Sequence, residues 1–528
     1  MNTFRLLLII ITVIFSVSEK ISRVECLNIL GVFPVPAKTH FFVFDPYLKE
    51  LAKRGHNLTV ISFYPNKEPL ANYTDINLAE NTGQFQPSHP VSDSFLVTFF
   101  TLTLFHALGG PVVCRMLMDD ENVQNLITSD AKFDLVIVEQ FNNDCGLAIA
   151  HKFRAPIIGI TSHMMLPWHY QRYGVPYNPS YVLFDLITAG TRPTFLQRIQ
   201  RSITYNYINF INKHVTQRLE QNVISDYMED VPPLEEIAKN IRLVLVYQYF
   251  VLSGSSVLPA NVIEVGGFHV SKPNTFIFFF SKDLKKFIEE SAHGVIYVSF
   301  GSILKPSSMP KDKMIAIIET LKELKQRVIW KWNKKDLPGN PKNILVTKWL
   351  PQNDILAHPN VLAFFSHCGQ LGVTEAAYHG VPVIGMPIFG DQPSNAAAVE
   401  ESGLGVQITL SEITKERLLE KIKTVLNPSF RENVKLISKA WHDRPLKAMD
   451  TAIFWTEYAA RHNITYGPPL VSTYQYYNLD IIALFLVLTV FNMVVIKYLI
   501  CFFITSVLKC FKKSNKKIIK VMNDNKTK

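Results

Sequence analysis

Short apolar runs alternate with amphipathic stretches along most of the chain, the pattern of strands and helices taking turns in a parallel sheet. Leu27 to Phe33 leads through a Pro-rich loop into a segment, His40 to Arg54, with apolar residues at 41, 44, 48 and 51. That segment predicts a helix ended by Gly55, and Leu58 to Phe63 predicts the next strand. Residues 65–125 read as a long, irregular, aromatic-rich stretch. The strand pattern resumes at Phe133 to Val138, followed by a helix from Asp144 to Phe153 and strands at Ile157 to Ile160, Leu243 to Val246 and Val262 to Val265. Gly266-Gly267 breaks the series. A second series begins with the strand Val295-Ile296-Tyr297-Val298-Ser299-Phe300 and a Gly301-Ser302 turn. It continues through a helix at 309–325 and strands at 327–332 and 344–348.

The most informative segment of the second series is Phe364 to Gln392, FFSHCGQLGVTEAAYHGVPVIGMPIFGDQ. Val361 to Phe365 is a buried-strand run, and Ser366-His367-Cys368-Gly369 is a small polar turn. A helix follows from Gln370 to His379, stopped by Gly380, and a second strand from Val381 to Ile384 precedes a loop ending in Asp391-Gln392. The polar residues therefore collect at the carboxyl edge of a parallel sheet beside a helix N-terminus, a place suited to phosphate. No G-x-G-x-x-G follows the first strand of either series, so the fingerprint of a nicotinamide or flavin dehydrogenase is missing.

At 528 residues the chain suits two domains of about 200 residues with appendages, and 48% apolar against 19% charged residues excludes a disordered protein. The net charge of +10 suggests nucleic acid until it is located. Residues 509–528 hold eight lysines against Asp524, a net +7, which leaves +3 for the other 508 residues. The body has no basic face, and nucleic acid is not an expected partner. The tail follows an apolar run at 479–508 from which residues 479–500 are read as a membrane-spanning helix, with Lys497 snorkelling toward a basic cytosolic tail, 501–528. Arg5, the apolar stretch Leu6 to Phe15 and Ser16-Val17-Ser18 read as a signal peptide, residues 1–18. The body between them is then lumenal. Of its possible N-glycosylation sites, Asn72 and Asn463 are favoured over Asn57, which begins a strand. Its four cysteines, Cys26, Cys114, Cys145 and Cys368, have neither metal-site spacing nor the density of a disulfide framework, and no metal is expected.

His367, Gly369, Gly372, Glu375, Pro382, Pro387, Asp391 and Gln392 together resemble the signature of the UDP-glycosyltransferase family. Trp349-Leu350-Pro351-Gln352 resembles the start of that family's donor segment, and PAKTHFFVFDPYLKELAKRGHNLTVIS resembles its opening. The resemblance runs through Trp441-His442-Asp443-Arg444-Pro445, covers nearly the whole chain and has the phrasing of insect members. It implies an α/β GT-B fold of two Rossmann-like, doubly wound domains facing across a cleft. The acceptor-binding domain is expected at 24–268, a linker at 269–292, the UDP-sugar-binding domain at 293–447 and a returning helix at 448–476.

The implied activity is inverting transfer of a hexosyl or glucuronosyl group from a UDP-sugar to a hydroxyl of a small lipophilic acceptor. Residence in the endoplasmic reticulum membrane, single-pass with a lumenal body, is implied too, and self-association as a homo-oligomer is compatible with it. Onto this sequence the resemblance carries His40 as catalytic base, Trp349 and Gln352 for uridine, and Ser302, His367 and the helix N–H groups for the diphosphate. Glu375 falls to the ribose, and Asp391 and Gln392 to the sugar. His56 reads as structural. The acidic partner of His40 has two candidates. An ungapped count from Phe133-Asp134 gives Glu139, where vertebrate relatives have Asp. Asp144, with a shorter side chain and a helix-capping position, is slightly favoured. The chain departs from the family at Ser256 to Ala260, where relatives carry Arg-Pro, and at Phe276 to Phe280, where an apolar run replaces a Pro-rich linker. Those departures are what favours the alternative, a non-catalytic carrier of apolar ligands that retains the fold.

Overall fold

The computed structural model describes residues 26–82, 95–182, 190–254, 256–270, 281–301, 309–332, 337–339, 341–463 and 472–524. The signal-peptide region, Ser302 and the Phe276 to Phe280 run lie outside the described residues. The chain forms two compact units, the first ending at Gly467 and the second starting at Pro468.

The first unit holds two fully parallel sheets. Strands β1 (Asn28–Phe33), β2 (Asn57–Ser62), β3 (Tyr73–Asn77), β4 (Leu135–Glu139), β5 (Ile157–Ile160), β6 (Ile241–Val246) and β7 (Val262–Glu264) lie in the order β3-β2-β1-β4-β5-β6-β7. Strands β8 (Val295–Ser299), β9 (Arg327–Lys331), β10 (Ile344–Thr347), β11 (Val361–Ser366), β12 (Val383–Gly385) and β13 (Gly405–Gln407) repeat the scheme as β10-β9-β8-β11-β12-β13. The order reverses between β1 and β4 and again between β8 and β11. These switch points are where a doubly wound sheet opens a crevice at the carboxyl ends of its strands. Each sheet is covered on both faces, and its strands read as near-continuous Val, Ile and Leu because both faces are buried.

The stretch read as irregular is largely ordered. It supplies the edge strand β3 and a 24-residue helix, Phe95–Met118. Cys114 of that helix is joined to Cys145, at the start of the Cys145–Phe153 helix, by a disulfide with a Cα–Cα distance of 5.6 Å. The two cysteines are 31 positions apart in the chain, so no short spacing announced the bond. Closing such a loop restricts the unfolded chain. Replacing both cysteines with serine is expected to cost about 3–4 kcal/mol of stability, to be read from thermal or urea unfolding beside the wild type.

After the second sheet the chain returns to the first. Ala452, Ile453 and Ala459 of the Ala448–Arg461 helix enter the core beneath the Lys38–Lys53 helix, and Tyr47 Oη hydrogen-bonds Thr456 Oγ1 at 2.5 Å. His56 is buried, takes the Leu27 N–H at 3.3 Å and lies 3.4 Å from Glu457, which fits the structural part expected of it.

The second unit is dominated by one helix, Leu479–Asp524, about 70 Å long at 1.5 Å per residue. Its segment Leu479–Ile519 is long and apolar enough to cross a membrane. The same helix runs on past residue 500 into the basic tail as far as Asp524. Phe99–Met118 in the first unit passes the same length and composition test.

Candidate active site

At the β1/β4 switch point, His40 lies in the first turn of the Lys38–Lys53 helix, just beyond β1. Its Nδ1 stands 3.3 Å from Glu139 Oε1, at the end of β4. The His40 side chain keeps 21% of its surface against 2% for Glu139, so the imidazole is reachable while its partner is sealed in. Burial raises the Glu139 carboxyl, and the hydrogen bond and charge of His40 pull it back down. A carboxylate on Nδ1 orients the ring, leaves Nε2 outward and stabilises the imidazolium formed when Nε2 takes a proton.

The preference for Asp144 is corrected here. Asp144 begins the next helix but makes no side-chain cap, and both its oxygens bind Arg172, at 2.8 and 2.7 Å. Arg172 also reaches Glu235 at 2.8 Å and Gln140 at 3.1 Å, while Gln217 bridges Asp144 and Glu235 at 2.9 Å each. Burial and the nearby Asp144 hold the Glu220 carboxyl well above its usual range. Asp144 belongs to this buried network, not to His40.

At the β8/β11 switch point, His367 packs between two glycines. A Cβ on Gly301, whose φ is +79°, would stand 2.6 Å from His367 Nε2, and one on Gly369 would stand 2.7 Å from it. Burial, with Lys331 adding to it, pushes the His367 imidazole down to about 4. The ring is thus a neutral hydrogen-bonding group beside the N-terminus of the Gln370–His379 helix. Cys368, in the left-handed region at φ 62°, is buried and its thiol is pushed up by burial, which makes it filler and no nucleophile.

Glu375, on the same helix, is buried and accepts a 2.6 Å hydrogen bond from Gln352 Nε2, whose Oε1 takes Tyr297 Oη–H at 3.2 Å. Both ends of the Gln352 side chain are therefore committed to holding Glu375. Gly372 makes room for it, since a Cβ there would meet Gln352 Nε2 at 3.3 Å. Trp349 is 56% exposed, with Lys38 Nζ and Lys331 Nζ at 4.6 and 4.7 Å from its ring, so it is an accessible flat surface and not a core residue.

Asp391 opens the Gln392–Glu401 helix. Burial raises its carboxyl, whereas Asn395 at 2.8 Å and the charge of His40 lower it. Gln392 Oε1 accepts the N–H groups of Ile388 and Phe389, at 2.9 and 3.2 Å, and pins the loop before it.

Sequence reading missed several supporting residues. Asn395 ties Asp391 to the Cys368 carbonyl at 3.0 Å, and its position four residues after Asp391 on one helix was a usable signal. Tyr247 and His269, 2.7 Å apart, bring the first half of the chain up to Glu375, with His269 Nε2 3.5 Å from its Oε1. Nothing in their spacing announced that. Among the described residues no cluster of three or more His, Cys, Asp or Glu is placed to hold a metal.

Two doubly wound sheets, one presenting a carboxylate-backed histidine and the other a helix N-terminus with buried sugar-type hydrogen-bonding groups, define a two-domain glycosyltransferase of GT-B type. Solved structures agree on the fold. The chain matches the glycotransferase of kitacinnamycin with a TM-score of 0.54 at 16% identity, covering 82% of this chain and 99% of that one. It matches the calicheamicin glycosyltransferase CalG4 with a TM-score of 0.52 at 16% identity, covering 82% and 98%. Residues 32–517 match the family described as UDP-glucoronosyl and UDP-glucosyl transferase. UDP-glycosyltransferase UGT5 of Dactylopius coccus is 37% identical over 89% of this chain and 91% of its own. UDP-glucuronosyltransferase 2A3 of Cavia porcellus is 29% identical over 85% and 88%. The chain belongs to the UDP-glycosyltransferase family.

Proposed function

We propose that the protein transfers a hexosyl or glucuronosyl group from a UDP-sugar to a hydroxyl of small lipophilic acceptors, with inversion at the anomeric carbon. The observation that carries this reading is His40. It is backed by the buried Glu139, stays reachable from the cleft, and is close enough to Asp391 on the opposite sheet for its charge to be felt there. His40 Nε2 takes the acceptor's proton and the freed oxygen attacks the anomeric carbon. The bond from that carbon to the diphosphate oxygen breaks, and UDP leaves with the electron pair.

On the donor side, Trp349 offers a face for uracil, with the Gln352 segment at its edge. His367, the helix N–H groups and the Ser302 hydroxyl stabilise the diphosphate without a metal. Glu375 accepts from the ribose hydroxyls, while Asp391 and Gln392 bind the sugar. Names among the relatives include both glucosyl- and glucuronosyltransferases, so both donors belong in the test.

Membranes expressing the full chain, given a panel of phenols with UDP-glucose or UDP-glucuronic acid, should form the β-linked conjugate. Transfer from neither donor would overturn the proposal. Glu375→Ala is expected to raise KM for the UDP-sugar about tenfold or more, since each hydrogen bond to a charged group contributes about 1.5–3 kcal/mol, with a smaller change in kcat. Initial rates over a donor titration check it. We further propose a lumenal body anchored in the endoplasmic reticulum membrane by residues 479–500, within the long apolar helix, and glycosylated at Asn72 and Asn463, both exposed. Protease protection and endoglycosidase shifts in sealed microsomes test this.

A further inference from the structure

His163 follows β5 and is buried beside the catalytic pair. Its Nδ1 lies 2.5 Å from the Met164 carbonyl oxygen. A carbonyl only accepts, so the proton sits on Nδ1 and Nε2 carries a lone pair. That nitrogen is buried and meets no hydrogen-bond donor among the described residues. Burial, with the charge of His40 next, pushes the ring down to about 3, so it stays neutral and the lone pair persists at neutral pH. The ring centre is 6.0 Å from that of His40, and both rings rest on the half-buried Phe141, at 5.1 and 4.6 Å. A buried acceptor left unmade gives up its hydration for nothing in return. The neighbouring His169 is the opposite case: its Nδ1 accepts the Leu166 N–H at 3.2 Å, so its Nε2 is a donor.

We propose that His163 Nε2 accepts a second O–H of the acceptor, adjacent to the hydroxyl that His40 deprotonates, which makes the site selective for ortho-dihydroxy aromatic compounds. Two hydrogen bonds of about 2.8 Å at the ends of a vicinal pair of hydroxyls bridge two imidazoles whose centres are 6.0 Å apart. One hydroxyl surrenders its proton to His40 and the other donates to His163, while the aromatic ring lies along Phe141. Because Nε2 is buried, the scheme requires the neighbouring Phe141 ring, 5.1 Å from that of His163, to turn aside when the acceptor enters. This inference rests on the glycosyl transfer proposed above, and the two fail differently.

The test compares kcat/KM for 4-methylcatechol and 4-methylphenol, with one UDP-sugar, in membranes carrying wild type, His163→Leu or His163→Gln. Binding of both phenols without donor is followed in parallel by tryptophan fluorescence. The wild type should favour the catechol by about tenfold or more, from a site built to receive that hydroxyl. His163→Leu should bring the ratio to within about twofold, and His163→Gln, whose carboxamide oxygen can accept, should recover part of it. A wild-type ratio near one, or an unchanged ratio in His163→Leu, overturns the assignment and leaves glycosyl transfer standing. If no phenol is glycosylated, the transfer reading fails and binding decides on His163. A catechol preference lost in His163→Leu supports it, and equal binding of the two phenols by the wild type rules it out.

Discussion

Replacing His40 with alanine is expected to lower kcat for glycosyl transfer by about 10²- to 10⁴-fold, the usual contribution of a positioned general base. KM for the UDP-sugar should move little, because in the proposed mechanism the imidazole acts on the acceptor hydroxyl while the groups proposed to bind the donor sit on the other sheet. Glu139→Gln tests the same pair from behind. Glutamine can still accept from His40 Nδ1, which lies 3.3 Å from Oε1, but it brings no negative charge to stabilise the imidazolium. An intermediate loss in kcat is expected, and Glu139→Gln placed on His40→Ala should cost nothing further, as residues that act as one unit are not additive. Steady-state rates of the three variants decide it. A His40→Ala enzyme that retains more than about a tenth of the wild-type kcat would remove the histidine from the chemistry.

The second large effect is on stability. Arg172→Met is expected to cost about 3–5 kcal/mol, because removing one member of a buried ion network leaves its partners charged and unpaired. The Arg172 side chain is 2% exposed and neutralises both Asp144 and Glu235. Burial opposes its charge, and those two carboxylates outweigh burial and raise its pKa well above the usual value. Without it, Asp144 and Glu235 lose their shared cation, beside a Glu220 carboxyl that burial and Asp144 already raise well above its usual range. At about 2–4 °C per kcal/mol for a domain of this size, the temperature of half-inactivation should fall by roughly 10 °C. Thermal inactivation in membranes, read with residual transferase activity, measures it. An unshifted midpoint would mean that the network contributes no stability.

The Asp144 network also shows what could be read from sequence. The α/β alternation was legible because strands buried on both faces are uniformly apolar, and the Ile157–Ile160 strand and Gln370–His379 helix fall where the pattern put them. Phe95–Met118 was not legible: Gly109, Gly110 and Pro111 interrupt a segment apolar on all sides, and close packing of the glycines against Asn142, Thr216 and Glu220 overrides their low helix propensity. The choice between Glu139 and Asp144 depended on sheet order. β1 pairs with β4 so that Val32 stands level with Val138, which places residue 139 one strand across from the loop leading to His40. The ungapped count from Phe133-Asp134 names Glu139 too, but only this adjacency decides between it and Asp144. The donor-side residues from His367 to Gln392 were readable as a group because they lie within thirty residues, whereas Tyr247 and His269 reach Glu375 from more than 100 residues away.

The covalent tie between Cys114 and Cys145 makes the host used to produce the protein an experimental variable. In a bacterial cytosol, where thioredoxin and glutathione keep thiols reduced, the chain would have to fold with two free thiols at the junction between the Phe95–Met118 helix and the segment just after Glu139. Secretory-pathway hosts supply the oxidising conditions under which this bond forms. A weak or inactive preparation from a reducing host would therefore report on its sulfur chemistry before it reported on its catalytic residues.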